Sequence, residues 1–140
     1  MADKTAHLEM IQAVVNRLSQ NSFLLKGWTV VLVSGLLAFS AAGSDPEFAY
    51  IAYFPVLAFW WLDAYFLHME RRFRALYDRV RAFREEEIDF SMDTSALTSG
   101  RWSVLSVAAS RTLLIYHGVL LTTVVAVTLF GIFNDGKGVG

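Results

Sequence analysis

Residues 56–87 contain neither proline nor glycine, and no other feature of the chain constrains its fold as strongly. The first half of this stretch, VLAFWWLDAYFLH, is apolar apart from Asp63 and His68. The second half, MERRFRALYDRVRAFREEE, carries most of the arginines in the protein. One α-helix over the whole stretch runs about 48 Å at 1.5 Å per residue, whereas a bilayer core is about 30 Å thick. Such a helix leaves the membrane near His68 and continues into the cytosol as a charged stalk.

Composition agrees with a membrane protein. Hydrophobic residues make up 55% of the 140, and the mean hydropathy is +0.43. The net charge of −1 hides an asymmetry, because the cations gather in one segment. The absence of cysteine excludes disulfides, thiolate chemistry and Cys-based metal sites. The opening MADKTAHLEMIQ is polar and amphipathic, without the apolar core and small-residue cleavage site of a signal peptide.

In residues 4–21, Leu8, Ile11, Val15 and Leu18 recur at helical spacing, with Glu9, Gln12, Asn16 and Arg17 opposite. This amphipathic helix of about four turns is too polar to span. It either packs as a cytosolic helix against the stalk or lies on the membrane surface, and its polar face is poor in Lys and Arg for a strong lipid binder. Residues 23–43 read as a first span. Lys26 and Trp28 stand at its beginning, where an ammonium snorkels and an indole sits at headgroup level. Its small residues Gly27, Ser34 and Gly35 admit close approach of another helix. Residues 44–47 form a turn, and residues 48–68 a second span kinked by Pro55.

The turn before the second span has no Lys or Arg, whereas Arg71, Arg72, Arg74, Arg79, Arg81 and Arg84 follow it. The positive-inside rule therefore puts the turn outside and the flanking segments in the cytosol. Residues 89–100 read as a loop in which Thr98 or Ser99 caps a further helix over residues 102–133, with Arg111 at its membrane entry. The pattern predicts an all-α membrane protein of about three transmembrane helices with long cytosolic helical extensions. Its parts are an amphipathic cytosolic helix (1–22), a two-span hairpin (23–68), a cytosolic stalk and loop (69–111), a third transmembrane helix (112–133) and a flexible tail (134–140).

Candidate functional residues fall into three groups. In the stalk, Phe73, Leu76, Tyr77, Val80 and Phe83 form an apolar stripe, and Glu70–Arg74, Arg74–Asp78 and Arg81–Glu85 stand at i,i+4. Arg71, Arg72, Arg79 and Arg84 have the weakest claim to an internal partner. They are the candidates for binding an anion such as a lipid headgroup, nucleotide or oligonucleotide; the alternative is a salt-bridged helix in a bundle. On the last helix, Ser103, Ser106, Ser110, His117 and Thr128 fall within about 40° of His117 on a helical wheel. That polar stripe lines a pore or serves as helix–helix glue. Asp63, His68 and His117 are ionisable at or near membrane depth, which makes them functional candidates. Asp63, as an intramembrane ion pair, needs a cation, and Lys26 or Arg71 can supply one. No catalytic constellation is present: there is no Gly-rich phosphate loop, H-E-x-x-H, nucleophile elbow or pair of core carboxylates. The expectation is a non-enzyme without cofactor or metal.

The stretches HLEMIQAVVNRLSQNSFLLKGW and FPVLAFWWLDAYFLHMERRFRALYDRVR resemble a family of small bacterial membrane proteins found as membrane-disrupting effectors in antiphage defence operons. The membrane effector of the Hailong system and the transmembrane effectors of cyclic-nucleotide systems are of this kind. The resemblance covers roughly residues 7–84 and rests on general pattern. It implies a homo-oligomer in the bacterial inner membrane, a tetramer by preference, that forms a gated pore or permeabilises the bilayer. Its control would come from a nucleotide or oligonucleotide made by a partner nucleotidyltransferase. The alternative is a non-conducting, membrane-anchored assembly subunit that docks a cytosolic partner.

Overall fold

The computed structural model describes residues 2–43, 47–97 and 103–135, and these are helical almost throughout. The elements are α1 (Ala2–Ala41), α2 (Glu47–Ile51), α3 (Tyr53–Ala82), two single 3-10 turns (Glu85–Glu87 and Ser95–Leu97), α4 (Val104–Ala108) and α5 (Arg111–Asp135). Three segments are long and apolar enough to cross a membrane: Asp3–Ala41, Glu47–Ala82 and Arg111–Asn134.

The amphipathic helix and the first span, expected as separate elements, are one helix of 40 residues, about 60 Å long. No proline interrupts it, and Asn21 and Ser22 at the junction do not stop a helix already propagating. Its polar half packs against the stalk, as one of the two readings had it. Ile11 of α1 lies in a buried cluster with Leu76, Val80 and Ile88, flanked by Leu8, Phe73, Tyr77, Met92 and Leu97. A second cluster forms between the apolar halves from Val33 of α1, Ala52 and Val56 beside α2 and α3, and Val124 of α5. α1 and α3 therefore run antiparallel, with Ile11 at the level of Leu76 and Val33 at the level of Val56.

Two boundaries differ from expectation, each for a physical reason, and Pro55 interrupts the second span locally. It lacks the N–H that the Ile51 carbonyl needs, so one ladder bond is missing between α2 and α3. Ala52 keeps α-helical torsions (φ −63°, ψ −22°), and Glu47–Ala82 continues as one membrane-length segment. The bond resuming the ladder, Val56 N–H to the Ala52 carbonyl, is long at 3.5 Å. The stalk helix stops at Ala82, short of Glu87, and Phe83 is extended. Lys4 of α1 donates to the carbonyls of Arg81 at 3.1 Å and Phe83 at 2.6 Å, capping the helix's negative end. Finally, the helix expected over 102–133 is two, with a turn at Ala109 and Ser110. The Trp60 indole N–H donates to the Ala108 carbonyl at 3.1 Å, the acceptor that a continuous helix would offer to Thr112.

Between the stalk and α4 the chain is held by short-range caps. Asp89 accepts from the Ser91 N–H, Ser91 from the Asp93 N–H, and Asp93 from both the N–H and the hydroxyl of Ser95. Ser103 caps α4 by accepting from the Ser106 N–H at 3.2 Å. The caps expected from Thr98 or Ser99, the turn at 44–46 and the tail beyond Asp135 lie outside the described residues.

The outer surface of the apolar halves is unlike that of a water-soluble domain. Phe23, Trp28, Phe39, Phe54, Ile115, Phe130 and Phe133 all stand exposed, with Phe54 at 77% and Phe130 at 73%.

Candidate functional site

The three long helices meet at Asp63, whose side chain is fully buried. α1 brings Ser22 and Lys26, spaced i,i+4 so that both face α3. α3 brings Asp63 and, one turn earlier, Trp60; α5 brings Tyr116 and His117. The Lys26 ammonium lies 2.6 Å from Asp63 Oδ2 and 2.8 Å from Oδ1. It also donates to the Ser22 hydroxyl at 2.7 Å, and that hydroxyl in turn donates to Asp63 Oδ1. The second oxygen of the carboxylate is 3.1 Å from His117 Nε2. A carboxylate only accepts, so Nε2 carries the hydrogen.

Aromatic rings enclose this cluster. Trp60 stacks on the His117 imidazole with centroids 5.6 Å apart and planes 5° from parallel, and Tyr116 meets the same ring edge-on at 5.0 Å. Lys26 Nζ lies 5.8 Å from the Tyr116 ring centroid, within cation–π range. The Tyr116 hydroxyl donates to the Lys26 carbonyl at 2.6 Å. The Lys26 ammonium thus pairs with a fully buried carboxylate while its own side chain stays 23% accessible, and hydrogen bonds reach both. This is the arrangement a buried ion pair needs to overcome its desolvation cost. Serine, histidine and aspartate converge here, yet Ser22 and His117 both donate to the carboxylate. The imidazole does not address the serine hydroxyl, as a hydrolytic triad requires. Among the described residues no three His, Asp or Glu side chains converge as metal ligands.

Asp63 was singled out by its chemistry, and of its two candidate cations Lys26 makes the pair. The sequence pattern places Trp60 among the aromatics near the ends of the second span and gives Ser22 and Tyr116 no role. The one signal for them was spacing: Ser22 and Lys26 share a helix face, as do Trp60 and Asp63.

The five stripe residues do not share one exposed face. His117 and Thr128 are buried inside the protomer. Thr128 donates to the Val124 carbonyl at 2.8 Å and lies 3.5 Å from the Tyr53 hydroxyl. Ser103 and Ser106 are exposed on or beside α4, and Ser110 sits in the turn between α4 and α5.

Of the stalk arginines, Arg79 and Arg84 are exposed, and Arg71 and Arg72 half-buried. The Arg79 guanidinium lies 5.5 Å from the Phe83 ring centroid, and Arg72 Nη1 lies 3.7 Å from the Met69 sulfur. Glu70 and Arg74 form the expected i,i+4 pair at 2.8 Å, and Arg81 reaches Asp78 at 3.6 Å. No family model, curated protein or solved structure matches this chain.

Proposed function

We propose that the protein is a small effector subunit of the bacterial inner membrane in antiphage defence. In this reading its N-terminus and stalk face the cytosol, it assembles as a homo-oligomer, with four copies preferred, and it opens or permeabilises the bilayer. A nucleotide or oligonucleotide from a partner nucleotidyltransferase, received by the arginines of the stalk, would set its state. The observation that carries this reading is the continuity of α3. One helix holds Asp63 against Lys26 in its apolar half and presents Arg71, Arg72 and Arg79 in its polar half, with Arg84 two residues past its end. An anion bound to those guanidiniums acts on the same rigid rod that joins the three long helices. A ligand gates only if it prefers one state, and a tenfold preference corresponds to about 1.4 kcal/mol per site.

A second reading, a non-conducting anchor that docks a cytosolic partner, is favoured by the inward placement of His117 and Thr128. A liposome flux assay decides between them. The effector reading expects ion leak that responds to a cyclic nucleotide or short oligonucleotide, and a response lost on replacing Arg79 and Arg84 by Gln. Sealed liposomes at all ligand concentrations, with the protein shown to be inserted, would leave the anchor.

A further inference from the structure

We propose that His68 and Arg72 form a phosphate-binding notch where α3 leaves the membrane. They stand at i,i+4, and therefore share a face of α3. Arg72 Nε is buried and meets no acceptor among the described residues. A guanidinium cannot shed that hydrogen, and a buried donor without an acceptor is destabilising, the more so when charged. Its Nη1 faces only the Met69 thioether, at 3.7 Å, a weak acceptor. One turn earlier, His68 is 7% exposed, and its Nδ1 is likewise buried without a partner. Both Arg71 and Arg72 lie within electrostatic reach of this imidazole. One guanidinium nitrogen and one ring nitrogen, a helical turn apart on α3, thus lack a hydrogen-bond partner among the described residues.

The nearby carboxylates do not fill that role. Glu70 lies about 160° around the helix from Arg72 at 100° per residue, and it holds Arg74 at 2.8 Å. Asp93 feels the charge of Arg72, but its two oxygens accept from the N–H and hydroxyl of Ser95 at 2.8 Å each. No ion pair within 4.0 Å joins Arg72 to any described carboxylate. The complement of this arrangement is an anion with several oxygens, able to take the Nε and Nη hydrogens of one guanidinium together. Phosphate does so. A phospholipid headgroup and the phosphate of a soluble ligand offer the same chemistry. The site rests on the reading that stalk guanidiniums receive an anion, and it specifies which of them and with what partner.

The test uses the full chain in detergent. Native mass spectrometry reads retention of phosphatidylglycerol against diacylglycerol, which lacks the phosphate, and calorimetry reads binding of inorganic pyrophosphate. We expect the parent to hold at least one phosphate probe and Arg72→Gln to weaken it tenfold or more, with Arg74→Gln unchanged. Arg72→Lys keeps the charge and loses the fork, so it too should bind poorly; it decides the matter if Arg72→Gln fails to fold. Retention of phosphatidylglycerol alone assigns the notch to lipid, and binding of pyrophosphate alone assigns it to a soluble phosphate. A parent that binds neither probe, or an Arg72→Lys protein that binds as the parent does, overturns the notch. If the parent binds pyrophosphate and the loss falls on Arg79→Gln or Arg84→Gln while Arg72→Lys binds as the parent does, the notch fails while the ligand-receiving stalk stands. If no arginine variant alters that binding, both fail.

Discussion

The Lys26 ammonium lies 2.6 Å from the Asp63 carboxylate across α1 and α3, with Ser22 and His117 bound to the same carboxylate. Only 23% of the Lys26 side chain is accessible, and none of that of Asp63. Removing one partner of such a pair strands the other, which costs about 3–5 kcal/mol, whereas replacing both by apolar residues is often close to neutral. Lys26→Met alone should therefore lower stability by about that much. The double variant Lys26→Met/Asp63→Leu should recover most of it, giving a strongly non-additive cycle. Unfolding in mixed micelles by denaturant measures all four corners. Additive costs would mean that the pair is not coupled.

Trp60 does two things at once: its ring covers His117 and its N–H takes the Ala108 carbonyl. Trp60→Phe keeps an aromatic ring and loses the donor. A single neutral hydrogen bond contributes about 0.5–1.5 kcal/mol net, so the change in stability should be of that size. The larger effect is local. With the Ala108 carbonyl free to accept from Thr112, the turn at Ala109 and Ser110 should convert toward helix. Amide exchange at Thr112 should slow relative to the parent, and unchanged or faster exchange would show that Trp60 does not set the break.

What the sequence made legible follows from what sequence carries locally. Hydropathy and the arginine bias exposed three membrane-length helices, and the Leu8–Ile11–Val15 spacing exposed a face that α3 then covers. Pro55 announced the local interruption of the second span by its missing N–H. The end of α3 and the gap between α4 and α5 had no local signal. Each coincides with a hydrogen bond from a distant helix, Lys4 to the carbonyls of Arg81 and Phe83 and Trp60 to that of Ala108. The site divides the same way. A carboxylate within an apolar, membrane-length stretch is conspicuous in any sequence, whereas its serine and aromatic neighbours are ordinary residues until three helices bring them together.

Leu76 is 6% exposed in the cluster that seals the polar half of α1 to the stalk, and Ile11 is its fully buried neighbour there. Leu76→Ala should cost about 2–5 kcal/mol, the range for emptying a packed site. Ile11→Ala should couple to it, because both empty one cluster. If the first turns of α1 instead lay on the lipid surface, the two costs would add independently. Leu105→Ala, at a residue 69% exposed, serves as the control and should change stability by no more than about 0.5 kcal/mol.

Asp93 lies outside the membrane-length stretches of α1 and α5 and past the end of α3. Hydrogen bonds from the N–H and hydroxyl of Ser95, with a smaller contribution from the Arg72 charge, hold its carboxyl below the ordinary aspartate value. A carboxylate depressed by folding contributes stability above its unfolded value and loses it as pH falls through the folded one. The loop should therefore loosen only in acid, below the ordinary aspartate range. Ser95→Ala should move the Asp93 midpoint back up, as read from carboxyl chemical shifts; an unmoved midpoint would remove Ser95 as the cause.

The arginines of the stalk also predict a topology, the one on which the effector reading most depends. Positive charge is retained on the cytosolic side because its translocation is disfavoured, and Arg71, Arg72, Arg74, Arg79 and Arg81 all lie on the polar half of α3. At the opposite end of that helix pair, Glu47 opens α2, and no Lys or Arg falls between Lys26 and Arg71. With no native cysteine in the chain, single cysteines report cleanly. Ser95→Cys and Glu47→Cys both sit at exposed positions. In intact cells a membrane-impermeant maleimide should label Glu47→Cys and spare Ser95→Cys, and lysis should open Ser95→Cys to the reagent. The reverse pattern would put the stalk outside, away from any nucleotide made in the cytosol. Lipid packing alone could then still hold the three helices in place, but the arginines could no longer receive a cytosolic signal.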